Sequence, residues 1–496
     1  MASSQELFNL VKSLTTNEKR NFQNFSSLSN ASEKKYLKLY ELIDSSEYYD
    51  KELVNKRFEG EKFLLNLHIA ENYLFQKIME SLRLFYESKN VDAKIYNHLF
   101  EAQLLEKKGF YLLSLELLQK AEKIAIRYHK YLAVMEIAPK KASIVMSTET
   151  KNLSERIENI FITATEYLNK YQEELKYRQE HASMVLMFRK WRTIRNSEVL
   201  TEMTQRIGQI LADSAPKEDN FYASWYYYAL TYTYYYTLQD YHKALEAQTK
   251  VIEVWDYAPD IISTNQQAYI AQLSNLIVCC ISCKAYKEAE NALQKLENLK
   301  PGSNDEAGEI FQNLYFLKQY YLLNLVEFDE AVKLIPEIEK GLQQYSNKIN
   351  PSRKLSFLYN NTVALFLTEN YSAASDWLQK ILQLTRTDEQ RKDIQNFSRI
   401  LQLAIFYKLE SNEVLEYLFR SVYRNKKHLD EMLDFEKVVL KCFRLIISTV
   451  PGSIEERQIF QQLKEDMEML DEKNKKSIGF EEFYIWVKSQ LQNKIS

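Results

Sequence analysis

The chain is short of the residues that interrupt helices. Eight glycines and seven prolines stand among 496 residues, against usual shares of roughly 7% and 5%. Glycine supplies left-handed turns and proline removes a backbone donor, so their scarcity predicts a nearly all-helical chain with short connections. It also argues against nucleotide enzymes, whose phosphate loops need several glycines so that backbone can approach the anion. Neither GxGxxG nor GxxxxGK[ST] occurs. Four cysteines in so long a chain do not make a disulfide framework. An excess of one charge is missing too. The net charge is −3, which gives no reason to expect whole-surface binding to nucleic acid or to an anionic membrane. No run approaches the roughly 20 apolar residues of a membrane helix. The opening MASSQELFNLVKSL lacks a signal-peptide core. The expectation is a soluble cytoplasmic protein, and the lysine-, asparagine- and tyrosine-rich composition fits an AT-rich bacterial genome.

With 46% hydrophobic and 27% charged residues the chain is globular. It is too long for one compact core, so several domains or one solenoid follow. Residues 1–90 read as an N-terminal helical domain. Leu7, Leu10, Val11 and Leu14 have helical spacing, and Thr15 with Glu18 forms a capping box before a helix carrying Phe22 and Phe25. A helix opened by Ser32 carries Tyr36, Leu39, Tyr40 and Ile43. A long run, Glu61 to Tyr86, carries Phe63, Leu67, Leu74 and Ile78. Residues 93–215 read as degenerate helix pairs. The first is Ala93–Lys107 with Phe110–Tyr128, turning at Gly109, and the next helices are Asn152–Tyr171 and Glu180–Met203. The run Ala215-Pro216-Lys217-Glu218-Asp219-Asn220 is the clearest break. Residues 221–450 hold the strongest repeats. Residues 454–496 read as two charged capping helices with a polar outer side, which the end of a solenoid requires.

Four times an aromatic residue is followed three positions later by alanine: Tyr241 and Ala244, Tyr286 and Ala289, Phe328 and Ala331, Tyr371 and Ala374. The aromatics are 45, 42 and 43 residues apart. Phe110 stands 131 residues before Tyr241, close to three further periods. A period in this range marks stacked helical hairpins, each burying its apolar face on its neighbours. The pattern, in DYHKALEAQTKVI, AYKEAENALQKLE, EFDEAVKLIPEIE and NYSAASDWLQKIL, resembles the tetratricopeptide repeat. The aromatic wedges between the two helices of a hairpin and the small alanine lets them approach. The family's period is 34 residues, shorter than here. Its glycine before the aromatic is replaced by Gln239, Lys284, Val326 and Glu369. The resemblance implies an all-α fold: a right-handed superhelical solenoid of antiparallel helix pairs, here behind an N-terminal helical domain.

In that family ligands lie on the concave face formed by the first helices. Counting back from each anchor gives the equivalent positions. They are Tyr226, Thr233 and Tyr236, then Ser274 and Val278. The next units give Asn313, Phe316 and Tyr320, then Tyr359, Val363 and Phe366. Asn275 and Asn360 each stand 11 residues before their anchor, where an amide can bond a bound peptide's backbone. Tyrosine, 35 residues in all, gives large contact area with a hydroxyl for a partner. The densest run, Phe221 to Tyr236, is aromatic all round, so it cannot bury every ring on one face. The competing reading is that these rings only pack between long helices. No lysine or arginine falls on these positions, so a clamp for a carboxylate tail is not supported.

Other motifs carry little chemistry. The CxxC of Cys280 and Cys283, next to Cys279, sits near a helix C-terminus where the dipole disfavours thiolate, so it reads as small apolar packing. The six histidines, His68, His98, His129, His181, His242 and His428, show no metal-ligand spacing. Asp471 to Glu482 faintly resembles a calcium loop, but Lys473 and Lys475 stand where oxygens are needed and Lys476 where the turn glycine belongs. Arg178, Arg189, Lys190, Arg192 and Arg195 around Trp191 read as a solvated face beside Glu173, Glu174 and Glu180. No metal or cofactor is expected. The sequence supports a non-enzymatic adaptor that holds a peptide or helix of another protein in an aromatic concave groove. The alternative is a peptide-sensing regulator with residues 1–90 as effector. That region lacks the glycine turn and basic recognition face of a helix-turn-helix, so nucleic acid is not the expected partner.

Overall fold

The computed structural model describes residues 3–27, 34–49, 51–59, 66–87, 90–148, 151–217 except 195, 196, 213 and 214, 219–346, 348–384, 392–410, 412–424, 433–475 and 477–492. Every regular element among them is helical, as the shortage of glycine and proline predicts. No helix among them is long and apolar enough to cross a membrane. Ser32, Phe63, Glu218, His428 and Lys476, and with them parts of the motifs read above, lie outside the described residues. The chain divides into two units. One comprises residues 1–239 with 253–266, the other 240–252 with 267–496. The loop at 215–220 therefore lies within the first unit.

The first unit opens with α1 (Ser4–Ser13), α2 (Thr16–Ser27), α3 (Lys34–Ser45), α4 (Lys51–Arg57) and α5 (Leu67–Glu87). Thr15 and Glu18 form the expected capping box: the Thr15 amide donates to Glu18 Oε2 at 2.6 Å, and the Glu18 amide to Thr15 Oγ1 at 3.3 Å. Leu7, Val11, Phe22, Tyr40, Leu74 and Ile78 form the core of these helices. Then come α6 (Val91–Lys107), α7 (Tyr111–Arg127), α8 (Tyr131–Thr148), α9 (Leu153–Ile194), α10 (Ser197–Ala212) and α11 (Phe221–Thr237). Sequence reading missed α8, and it divided the region of α9 into two helices. Instead, α9 is one helix of 42 residues. Its first half packs on α8 through Ile157 and Ile160, and its second half on α11 through Tyr177 and Met184. Two different neighbours bury two different faces, so a single apolar stripe could not reveal its length.

Beyond α11 follow α12 (Tyr241–Asp256), α13 (Pro259–Thr264), α14 (Gln266–Ser282), α15 (Tyr286–Glu297), α16 (Asn304–Asn324), α17 (Phe328–Lys333) and α18 (Ile335–Gln344). The second unit ends with α19 (Pro351–Leu367), α20 (Tyr371–Leu384), α21 (Lys392–Lys408), α22 (Asn412–Arg424), α23 (Asp434–Ile446), α24 (Ile454–Glu468), α25 (Glu472–Lys475) and α26 (Phe480–Gln492). Each of the four anchor aromatics is the first residue of its helix, and each paired alanine is fully buried. Pro336 splits the Phe328 helix into α17 and α18. The fifth anchor shifts by one: α7 starts at Tyr111, and Ser114 takes the buried small position, its hydroxyl donating to the Ala102 carbonyl at 2.8 Å.

Two residues before each anchor the chain turns left-handed. Gln239, Lys284, Val326 and Glu369 have φ of 60°, 58°, 65° and 61°. These are the positions that the sequence comparison marks as replaced glycines. At Val326 the turn is a Schellman motif. The Glu327 amide donates to the Leu322 carbonyl at 3.0 Å and the Val326 amide to Leu323 at 3.2 Å. Satisfying these last carbonyls fixes the turn even where the residue has a Cβ.

Candidate functional site

Sequence reading places nine residues on one face of the first helices. Tyr226 and Tyr236 fall in the first unit and the other seven in the second. On α11, Tyr226 stacks on Trp225 with centroids 4.8 Å apart, lies 5.6 Å from His181, and takes the Arg178 guanidinium over its ring at 5.2 Å. Tyr236 meets Phe188 edge to face at 6.1 Å. Both rings are partly exposed and pack against α9.

Sequence reading missed the polar group beside them. Asp92, Lys130, Tyr131, Glu174, Arg178 and Tyr222 help line a cavity of about 240 Å³ in the first unit. They come from α6, α8, α9 and α11 and the turn before α8, so no local spacing could have shown them. Lys130 pairs with Asp92 at 2.8 Å and Arg178 with Glu174 at 2.7 Å. Burial raises the Glu174 pKa against the pull of Arg178. Each charge is thus answered within the cluster. The basic run read around Trp191 is partly accounted for by this pairing of Arg178. Arg195 lies outside the described residues, as do the side chains of Trp191 and Arg192.

In the second unit the expected groove divides into a closed and an open part. At the closed part, Phe366 and Tyr359 on α19 are 0% and 4% exposed. The helix that covers them is α26. Trp486 lies 5.5 Å from Phe366, and the Tyr359 hydroxyl donates to Glu482 Oε1 at 3.3 Å. One expectation is corrected here. Phe366 and Tyr359 are core residues, and residues 480–492 are a helix packed on α19, with Phe480, Phe483, Trp486 and Val487 buried. The aromatics at 480, 483 and 486 repeat on one face of α26 and are buried, while Glu481 and Lys488 on its other side are exposed. Asp471, the first position of the faint calcium loop, accepts from the Asn474 amide at 2.9 Å in a local turn. Glu482, the last, faces Tyr359. Among the described residues no three His, Cys, Asp or Glu side chains converge as a metal site.

Asn360 and its neighbour Asn361 are buried, at 5% and 0% exposed. Gln319 Nε2 on α16 donates to Asn361 Oδ1 at 2.7 Å. Among the described residues neither Asn360 Nδ2 nor Asn361 Nδ2 has a hydrogen-bond partner. Asn360 is thus not placed on an open surface, whereas Asn275 on α14 is partly exposed.

At the open part Phe316 and Tyr320 on α16 are partly exposed and lie parallel, 6.2 Å apart with 2° between planes. The Arg353 guanidinium covers Phe316 at 4.1 Å. Asn313 is buried and already engaged. Its Nδ2 donates to the Glu309 carbonyl at 2.9 Å, and its Oδ1 accepts from Arg353 at 3.3 Å. Asn313, expected on the concave face, is thus turned inward and positions Arg353. Beside this group opens a cavity of about 740 Å³, lined by Glu309, Gln312, Phe316, Asn350, Ser352 and Arg353 among others. Tyr320 titrates above its ordinary range through burial and the charge of Glu482. The CxxC sulfurs are held away from thiolate: burial pushes Cys280 up to about 12 and raises Cys283, and Cys279 beside them is also pushed to about 12. Comparison with protein-family models, curated proteins and solved structures finds no match for the chain.

Proposed function

We propose that this chain is a non-enzymatic adaptor, a cytoplasmic solenoid of tetratricopeptide-like hairpins, that binds an extended peptide of another protein. The observation that carries the reading is the open part of the α16 and α19 face. There a partly exposed aromatic pair, Phe316 and Tyr320, borders a polar cavity with Arg353 held over one ring. Tyrosine and phenylalanine supply contact area at small entropy cost, and the polar rim orients a peptide backbone. The Arg353 geometry is fixed by Asn313, so little reorganisation accompanies binding. The first-helix face of α19 already holds one helix of the chain itself, α26, which supports the view that this face suits polypeptide ligands.

The test is selection of peptides from a displayed random library, followed by fluorescence anisotropy with the full chain. Phe316→Ala and Tyr320→Ala, both partly exposed, weaken the selected peptides by about tenfold or more, as truncation of aromatic anchors does, with the helical circular dichroism of the wild type. Equal affinity in both variants overturns this placement. Failure to select any peptide overturns the adaptor reading itself.

A further inference from the structure

The outer face of α9 carries a pattern that neither the hairpin packing nor the proposed groove uses. Phe161, Leu168, Leu175 and Ala182 recur every seven residues and are all exposed. Thr165, Gln172, Gln179 and Leu186 recur every seven residues between them and are exposed as well. The combined spacing alternates four and three residues over eight positions, which is the a/d seam of a coiled coil. The first series occupies d, the second a. None of the eight is charged, in a chain of which 27% of residues are charged. Glu158 and Arg189, the next residues in the same register, close the seam at both ends. It is about 37 Å long at the rise of an α-helix. Four of its side chains are large and apolar: Phe161 is 47% exposed, Leu168 39%, Leu175 49% and Leu186 64%. The two faces of α9 buried on α8 and α11, which carry Ile157, Ile160, Tyr177 and Met184, include none of these eight positions, so the seam lies outside the unit's own core.

We infer that α9 pairs with α9 of a second copy of this chain, parallel and in register. The polar a positions select this occupant. In a parallel pair each a residue meets its own copy, so Gln172 faces Gln172 and Gln179 faces Gln179. Each amide then donates to and accepts from its twin, and its second N–H points to the edge of the seam and water. In an antiparallel pair a faces d. With the seams in full overlap Gln172 would lie against Leu175 and Gln179 against Leu168, leaving amides buried against leucine. The flanking positions agree. Parallel pairing sets Ala164 by Asn169, Tyr171 by Lys176 and Arg178 by Ser183, with no like charges opposed. The seam lies in the first unit and the proposed groove in the second, so the two readings rest on different residues.

Sedimentation equilibrium of the full chain at micromolar concentration tests it. The expected mass is twice the 58.9 kDa of one chain. Leu168→Glu with Leu175→Glu, at exposed positions that spare the core, raises the dimer dissociation constant at least about 100-fold with unchanged circular dichroism. Gln172→Cys, oxidised with copper phenanthroline beside the wild-type control, joins two copies covalently, because the parallel register sets residue 172 against itself. A monomer at all concentrations overturns the pairing and leaves the seam to a helix of another protein. A dimer that survives the double glutamate variant places the interface elsewhere. A seam-dependent dimer whose Gln172→Cys form does not cross-link overturns the parallel register.

Discussion

In the first unit the buried side chains fall into separate clusters, one under α1 to α5, one under α6 to α9 and one where α9 meets α11. In the second unit one large cluster runs from Ile335 on α18 to Val487 on α26, beside a smaller one of Phe311, Ile338, Ile349 and Phe357. The second unit draws its last helix onto α19 and thereby consumes its own aromatic face. The first unit leaves apolar side chains along α9 facing solvent. Both are built from helices packed on their neighbours. The difference lies in whether a later segment returns to cover the face that a helix pair leaves open, since a packed helix buries only what touches a neighbour.

Removing the segment that returns is the most severe test of this contrast. Trp486→Ala deletes the ring between Phe366, Phe460 and Phe483. It destabilises the second unit by about 3–5 kcal/mol. Hydrogen exchange read peptide by peptide shows faster exchange in α19 and α24, with α6 to α9 unchanged. Equal loosening of both units breaks the comparison.

Two buried groups, one in each unit, respond to pH in opposite directions. Glu436, 2% exposed at the start of α23, has its pKa raised by burial to about 7 from an ordinary 4.5. Between those values the unfolded chain has released this proton and the folded chain keeps it, so stability falls as pH rises from about 4.5 to about 7. The span is on the order of 3 kcal/mol, and Glu436→Gln removes it. His181, beside Tyr226 on α9, is lowered by burial to about 4 from 6.5. Below pH 6.5 the unfolded chain takes up a proton that the folded chain refuses, so stability falls as pH drops toward 4. His181→Phe removes that loss. Urea midpoints at pH 5 and pH 7.5 for the two variants check both signs.

The smallest effect concerns a turn. Val326→Gly relieves a β-branched residue at φ 65°. The left-handed cost of roughly 1–2 kcal/mol exceeds the entropy cost of glycine, so a net gain of about 0.5–1 kcal/mol is expected in the urea midpoint. No gain would mean that the Schellman hydrogen bonds already offset the strain.

What the sequence made legible was what one helix reports about itself. The starts at Tyr241, Tyr286, Phe328 and Tyr371 could be read because an aromatic and a small residue one turn apart must meet the helix just completed. The anchor at Phe110 was off by one, because Phe110 and Tyr111 are both aromatic and only the cap geometry separates them. Burial of Tyr359 and Phe366 was not legible. Periodicity marks a face as apolar but does not say that a helix more than 100 residues later will cover it. The salt-bridged cavity at Glu174 was hidden for the same reason, since its parts come from four helices.

The left-handed turns carry a consequence for how such a chain diversifies. Where glycine holds a turn, the position displays nothing and resists replacement. Here lysine, valine and glutamate occupy equivalent positions at 284, 326 and 369, each two residues before a helix. The backbone hydrogen bonds hold the turn whatever the side chain is, so these sites accept mutation in charge and size at small cost. A lineage could therefore alter the edge of its hairpins one residue at a time while the helices on either side keep their register.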